Sequence, residues 1–282
     1  MTANESIGTR DPEARVSALA ERLDALMTAP VAKPTFVYFD FVGIAWPIRC
    51  LLHLARVDYE LVQISFPEWL TRGADDESIL KQRLRNFHLP LWVEGDLRLT
   101  QSTVISLHLA ERHDLVGDSP AERLAAQEVV AHAYDALFHW NGLFPVNATV
   151  GVPEDVARAR VDAFLGQGSW GLSGNGYRRN LDAFERYLEA NPSESGFIVG
   201  ERLSVADLHA FNVLCHWYKA FDPPRFRDAH PRLDDYVERI ATLPGISDYI
   251  RNVQEPTIWI PLEGFGLKLS RAEEARGLTS VR

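Results

Sequence analysis

The stretch from His88 to Arg112 sets a proline, a turn and a polar pair in close succession: Leu89-Pro90, Glu94-Gly95-Asp96, then Gln101-Ser102 ahead of an apolar run. The pattern predicts a strand after Pro90, a turn at 94–96, a short second strand at 97–99 and a helix opened by Gln101 and Ser102. A helix start offers N–H groups that the helix itself does not use, together with the positive end of its dipole. This corner therefore has the chemistry of a carboxylate site, in which the Ser102 hydroxyl can join. Ordinary capping by Thr100 or Ser102 accounts for the same residues. The two cysteines, Cys50 and Cys215, have no CxxC spacing and read as small core residues of a protein in a reducing compartment.

The elements that must hold this corner can be read on either side of it. Val16, Leu19, Leu23 and Leu26 recur at helical spacing and predict an amphipathic helix over 12–27 that packs on the domain or on a partner. Pro30 and Pro34 read as brackets of a linker, after which Thr35 to Phe39 is a first strand. Past the loop of Asp40 to Trp46, Pro47 opens a helix whose buried stripe is Ile48, Leu51, Leu52 and Ala55. Tyr59 to Ile64 is a second strand, and the charged stretch 67–86 is helical in part at 77–84. A βαβ half followed by a ββα half predicts a small four-stranded mixed sheet with helices on both sides.

After Asp118 the character changes. Residues 121–140, 154–164, 177–190, 204–218, 232–242 and 245–252 all show helical periodicity, so the second half is expected to be all-helical. Within it, Ser204 and Asp207 have capping-box spacing, with Leu203 and Leu208 at the two ends of a hydrophobic staple. The expected divisions are an N-terminal helical extension at 1–33, an α/β domain at 34–115, an all-helical domain at 120–255 and a tail at 256–282. The tail's Ile258-Trp-Ile-Pro-Leu run and Phe265 need a surface to cover, as a strap or a lid.

Composition excludes several classes. With 46% hydrophobic residues the chain can bury a large core, yet no apolar run is long enough for a membrane span. A net charge of −10 argues against a duplex nucleic-acid surface. Met1 to Arg10 lacks the basic start and apolar core of a secretory signal, so a cytoplasmic protein is expected.

Taken together, Tyr38-Phe39, Gly43-x-Ala45-x-Pro47-Ile48-Arg49, Leu89-Pro90, Leu99-Thr100-Gln101-Ser102, Asp114-Leu-Val-Gly-Asp118, Phe197-Ile-Val-Gly200, Ser204 to Asp207 and His230-Pro-Arg-Leu233 resemble the cytosolic glutathione S-transferases. The resemblance covers about residues 35–255 and is nearest the tyrosine-using sigma and alpha types, which include glutathione-dependent prostaglandin D synthase. It implies a thioredoxin-like four-stranded mixed sheet joined to an all-helical C-terminal domain, and a homodimer. It also implies an enzyme that adds the thiolate of glutathione, as co-substrate, to a small hydrophobic electrophile in detoxification, with no metal. Glutathione-dependent isomerisation, dehalogenation or peroxide reduction, and a non-catalytic binding or assembly module, are the alternatives.

Residue by residue, the resemblance implies that the backbone of Leu89, beside a cis Pro90, holds the cysteinyl part of glutathione. Gln101 and Ser102 would hold the γ-glutamyl carboxylate, Trp69 the glycyl end, and His88 would stand where the family usually has Gln or Lys. Tyr38 takes the place of the catalytic tyrosine: a thiol with a pKa near 8.5 is mostly neutral at pH 7, and a donated hydrogen bond stabilises its thiolate. The second-substrate wall falls on Phe41, Trp46, Trp140 and Phe144, with Trp46 in a loop. Ile44 and Trp46 replace the family's usual Arg and Glu, and Ala131 stands where an acidic residue normally reaches the partner's glutathione, with Glu128 and Asp135 nearby.

Overall fold

The computed structural model describes residues 11–143, 177–219 and 223–253. The chain divides into two compact units, one running to His108 and the other starting at Leu109.

In the first unit, α1 (Pro12–Thr28) starts where the Asp11 carboxylate accepts the Glu13 N–H at 3.0 Å and Pro12 takes the first helical position. Val16, Leu19, Leu23 and Leu26 are all buried, so the helix packs on its own domain. Each such side chain is worth about 1.5–3 kcal/mol of burial. The Arg98 guanidinium then donates to the carbonyls of Leu26 and Ala29, satisfying the helix's last turn. The expected linker at Pro30 to Pro34 is instead the start of β1 (Val31–Phe39). Its pairing with β3 (Leu91–Gly95) slips between Val31 and Thr35, the irregularity in which a proline without an N–H is tolerated.

After β1 come a single 3-10 turn at Gly43–Ala45 and α2 (Trp46–Leu54), whose face from Trp46 to Leu52 is buried. Then follow β2 (Glu60–Ile64) and α3 (Phe66–Leu70), opened by a capping box between Ser65 and Glu68. The helix expected at 77–84 is absent apart from a 3-10 turn at Lys81–Arg83. Ser78 explains this: its backbone bridges Arg72 and its hydroxyl donates to the Trp69 carbonyl at 2.7 Å, which draws the chain back on itself. The hairpin of β3 and β4 (Leu97–Thr100) leads into α4 (Ser102–Arg112). The strands form a four-stranded mixed sheet in the order β2-β1-β3-β4, with β2 parallel to β1 and the other pairs antiparallel.

The second unit, as described, holds helices and no strand: α5 (Pro120–Leu143), α6 (Tyr177–Ala190), α7 (Val205–Val213), α8 (Pro223–Ala229), α9 (Pro231–Thr242) and α10 (Pro244–Asn252). α7 runs on through wider π-type turns at Leu214–Lys219. α8 is seven residues long, too short for periodicity to reveal it in the sequence. The expected helix at 154–164 and the tail at 256–282 lie outside the described residues. The capping box at the start of α7 is present and forms the centre of a larger network. The fully buried Asp207 carboxylate accepts the Ser204 and Ile198 N–H groups, each at 2.9 Å, and the Ser204 and Tyr236 hydroxyls, each at 3.1 Å. Burial pushes this carboxyl's pKa up, and the accepted hydrogen bonds pull against that shift.

Candidate active site

Strand register gathers the sequence-predicted residues at one end of the sheet. Val37 of β1 faces Leu91 of β3, and Leu91 faces Thr100 of β4. One step beyond the ladder on each strand lie Tyr38, Pro90 and Gln101, in a row spanning two strand spacings, about 10 Å. On the far side of β1, Tyr38 pairs with Gln63, and the chain leaves β2 there to enter α3, which carries Trp69. The order across the sheet end is therefore Trp69, Tyr38, Leu89-Pro90, Gln101-Ser102.

Each member is held in an unusual local state. The Leu89–Pro90 peptide bond is cis, and neither the Leu89 N–H nor its C=O is taken by another described residue. Gln101 sits at φ 75°, a left-handed conformation that costs an ordinary side chain about 1–2 kcal/mol. That turn swings the chain from β4 into α4 and puts the exposed Gln101 side chain beside the buried Ser102 at the helix start. Strain of this kind concentrates at functional sites.

Tyr38 is almost fully buried, and its hydroxyl oxygen accepts the Ile44 N–H at 3.2 Å. A phenol that accepts an N–H becomes a stronger donor, because the accepted bond stabilises charge on its oxygen. The replacement of the family's arginine by Ile44 therefore leaves this bond intact, since the backbone supplies it. Beneath the ring, the buried Arg49 guanidinium lies 5.7 Å from the Tyr38 centroid and donates to the Phe39 carbonyl at 2.9 Å. Neither the Ile44 N–H nor Arg49 was assigned a role from the sequence. The available signal was Gly43, whose φ of 45° turns the Ile44 N–H toward the phenol.

The remaining candidates fare differently. Trp69 is buried edge-on against Phe39, with ring centroids 5.5 Å apart, and the Lys81 ammonium lies 5.7 Å from the centre of its indole. Lys81 is thus a cation at the Trp69 end of the row that sequence reasoning did not single out. His88 is exposed, its ring bonded to the Asn86 carbonyl. Phe41 stacks on Phe39 at 5.1 Å and meets Tyr38 edge-on. Trp46 corrects an expectation: it is the first residue of α2 and not a loop residue, and its exposure is 0%, which leaves no open face for a substrate. The side chain of Trp140 and all of Phe144 lie outside the described residues. Among the described residues no group of His, Cys, Asp and Glu is placed to hold a metal ion, and no helix is long and apolar enough to cross a membrane.

Comparison with known proteins points one way. The family model described as the C-terminal domain of glutathione S-transferase matches residues 175–252. Glutathione S-transferase P 1 of Xenopus laevis is 29% identical over 219 residues, covering 76% of this chain and 90% of that protein. A glutathione S-transferase of Dermatophagoides pteronyssinus is 25% identical, covering 82% of this chain and 96% of its own. Among solved structures, the sigma class enzyme of Fasciola hepatica matches at a TM-score of 0.62 with 24% identity, covering 77% of this chain and 95% of that one. Monomeric Na-GST-3 of Necator americanus matches at 0.64 with 21% identity, covering 79% and 98%. The mixed sheet with its cis-proline corner, the helical second unit and relatives matched over nearly their whole length lead to one conclusion: the chain belongs to the glutathione S-transferase family.

Proposed function

We propose that this protein is a glutathione transferase of the tyrosine type, which adds the glutathione thiolate to a small hydrophobic electrophile. The observation that supports this reading is the row Trp69, Tyr38, Leu89-Pro90, Gln101-Ser102 across one sheet end. In it, the backbone of Leu89 pairs with the cysteinyl residue as a short added strand. The γ-glutamyl carboxylate lies at the start of α4, where Gln101, Ser102 and the helix dipole receive it. The thiol then faces the Tyr38 hydroxyl, which donates to the sulfur as it loses its proton.

The step is a nucleophilic addition or displacement: the S–H proton leaves to solvent, and the sulfur pair forms the new S–C bond. Tyr38 stays protonated throughout, and its contribution is the hydrogen bond that raises the thiolate fraction. Phe41, stacked beside Tyr38 and Phe39, is the described aromatic nearest the nucleophile and marks the wall for the electrophile. A homodimer in the cytoplasm, disposing of reactive compounds, completes the reading.

Thermal unfolding with a thiol panel tests it. A ligand that binds only the folded state raises the midpoint, so glutathione is expected to stabilise the protein. Cysteinylglycine, which lacks the γ-glutamyl carboxylate, is expected to do so much less. Equal effects from the two thiols, or no retention on immobilised glutathione, would overturn the assignment.

A further inference from the structure

We propose that α1 is a brace for the segment from Ser65 to Arg83, and that through it α1 sets the affinity of the thiol site. This rests on the glutathione reading, in which that segment brings Trp69 and Lys81 to the glycyl end. The segment has little regular structure of its own: one five-residue helix, an isolated bridge and a single 3-10 turn. Its conformation therefore depends on ties to its surroundings.

Those ties lead to α1 at both ends. Arg15 of α1 pairs with Glu68, whose other oxygen accepts the Ser65 N–H at 2.7 Å and so caps α3 one residue before Trp69. Asp24, more than two turns further along α1, pairs with Arg83 at 3.1 Å, at the far end of the segment. A third pair, Arg22 with Glu60, ties α1 to β2 just before the segment begins. The helix itself is fixed to the sheet by its buried leucines and by Arg98 at its C-terminal turn. Between its first turn and α3 lies a cavity of about 310 Å³ whose lining includes Asp11, Arg15, Val16, Ser65 and Glu68. Side-chain packing is thin there, so the Arg15 to Glu68 pair carries the attachment at the Trp69 end. Arg15 and Asp24 are thus positioning residues that act through the segment.

The test compares the unmodified protein with Arg15→Gln/Asp24→Asn under brief trypsin treatment and in steady-state kinetics with glutathione and an activated aryl halide. Cleavage after Arg72 and Lys81 is expected to accelerate, and the KM for glutathione to rise roughly five- to tenfold. The kcat and the KM for the aryl halide should stay within about twofold. Arg15→Lys, and the swapped pair Asp24→Arg/Arg83→Asp, should restore both readouts. Faster cleavage with an unchanged glutathione KM, unchanged cleavage, or a kcat that falls as far as KM rises would each overturn the proposal. The unmodified protein's own glutathione dependence reports separately on the function assigned above, and its absence would remove both readings.

Discussion

Gly43 lies so close to Tyr38 that a methyl group placed on it would sit 2.4 Å from the phenol oxygen and 2.9 Å from the Phe41 ring. The glycine also holds φ at 45°, which an L side chain adopts only under strain. One residue thus creates the space for the tyrosine hydroxyl and turns the next N–H toward it.

Gly43→Ala and Gly95→Ala separate these two contributions. Gly95 has φ at 54° and open space where its Cβ would be, so its alanine variant should lose only the strain of about 1–2 kcal/mol. Gly43→Ala must also displace Tyr38 or Phe41, so it should lose more stability in urea titration and lose thiol-addition activity as well. Equal stability losses with activity retained in both variants would mean that the contact constrains nothing.

Tyr38→Phe isolates the hydroxyl. Removing a single donor aimed at developing negative charge typically costs about 10²–10³ in turnover. Glutathione affinity should change little, because the backbone of Leu89 and the Gln101-Ser102 corner are untouched. The pH at which the bound thiol ionises should rise toward the free value near 8.5, which the thiolate's ultraviolet absorbance reports. Unchanged turnover across pH would remove Tyr38 from the chemistry.

How much of this could be read in the sequence depended on whether local pattern or tertiary context decided the outcome. Leu89-Pro90 and Gln101-Ser102 were legible because a proline-led strand and a polar helix start are local signals. The strand from Val31 was hidden because Pro34 reads as a break, and only the slipped pairing with β3 makes it tolerable. Trp46 looked like a loop residue because Gly43 to Ala45 form a turn, whereas its burial depends on what packs around α2. Nothing in the sequence said that Arg49 would lie beneath the Tyr38 ring, since that contact joins a strand and a helix through their packing. For the same reason α1 was legible as a helix, while its surface remained undecided until Arg15, Arg22 and Asp24 were seen with their partners.

Asp207→Ala should unmake the second unit's central network. It leaves the Ile198 and Ser204 N–H groups buried without an acceptor, at about 1–3 kcal/mol each, while the Ser204 and Tyr236 hydroxyls can turn elsewhere. The expected loss is about 2–6 kcal/mol, measured by denaturant unfolding. Asp207→Asn keeps one acceptor oxygen and should lose less. If the two variants were equally stable, hydrogen bonding by the carboxylate would not be what holds this region.

His209, buried in α7, should make the protein sensitive to acid. Its Nε2 has no hydrogen-bond partner among the described residues, and burial depresses its pKa to about 3. An unfolded histidine takes up its proton below about 6.5. Between that value and the folded one the unfolded state binds the extra proton, so stability falls as pH falls, by about 1.4 kcal/mol per unit. From pH 7 to pH 5 this site alone should remove about 2 kcal/mol. His209→Leu keeps the position apolar and removes the titration, so urea unfolding at the two pH values should show the variant losing about 2 kcal/mol less than the parent. Equal losses in both proteins would mean that the folded state accepts the proton at His209, contrary to the burial and the unpartnered ring nitrogen seen there.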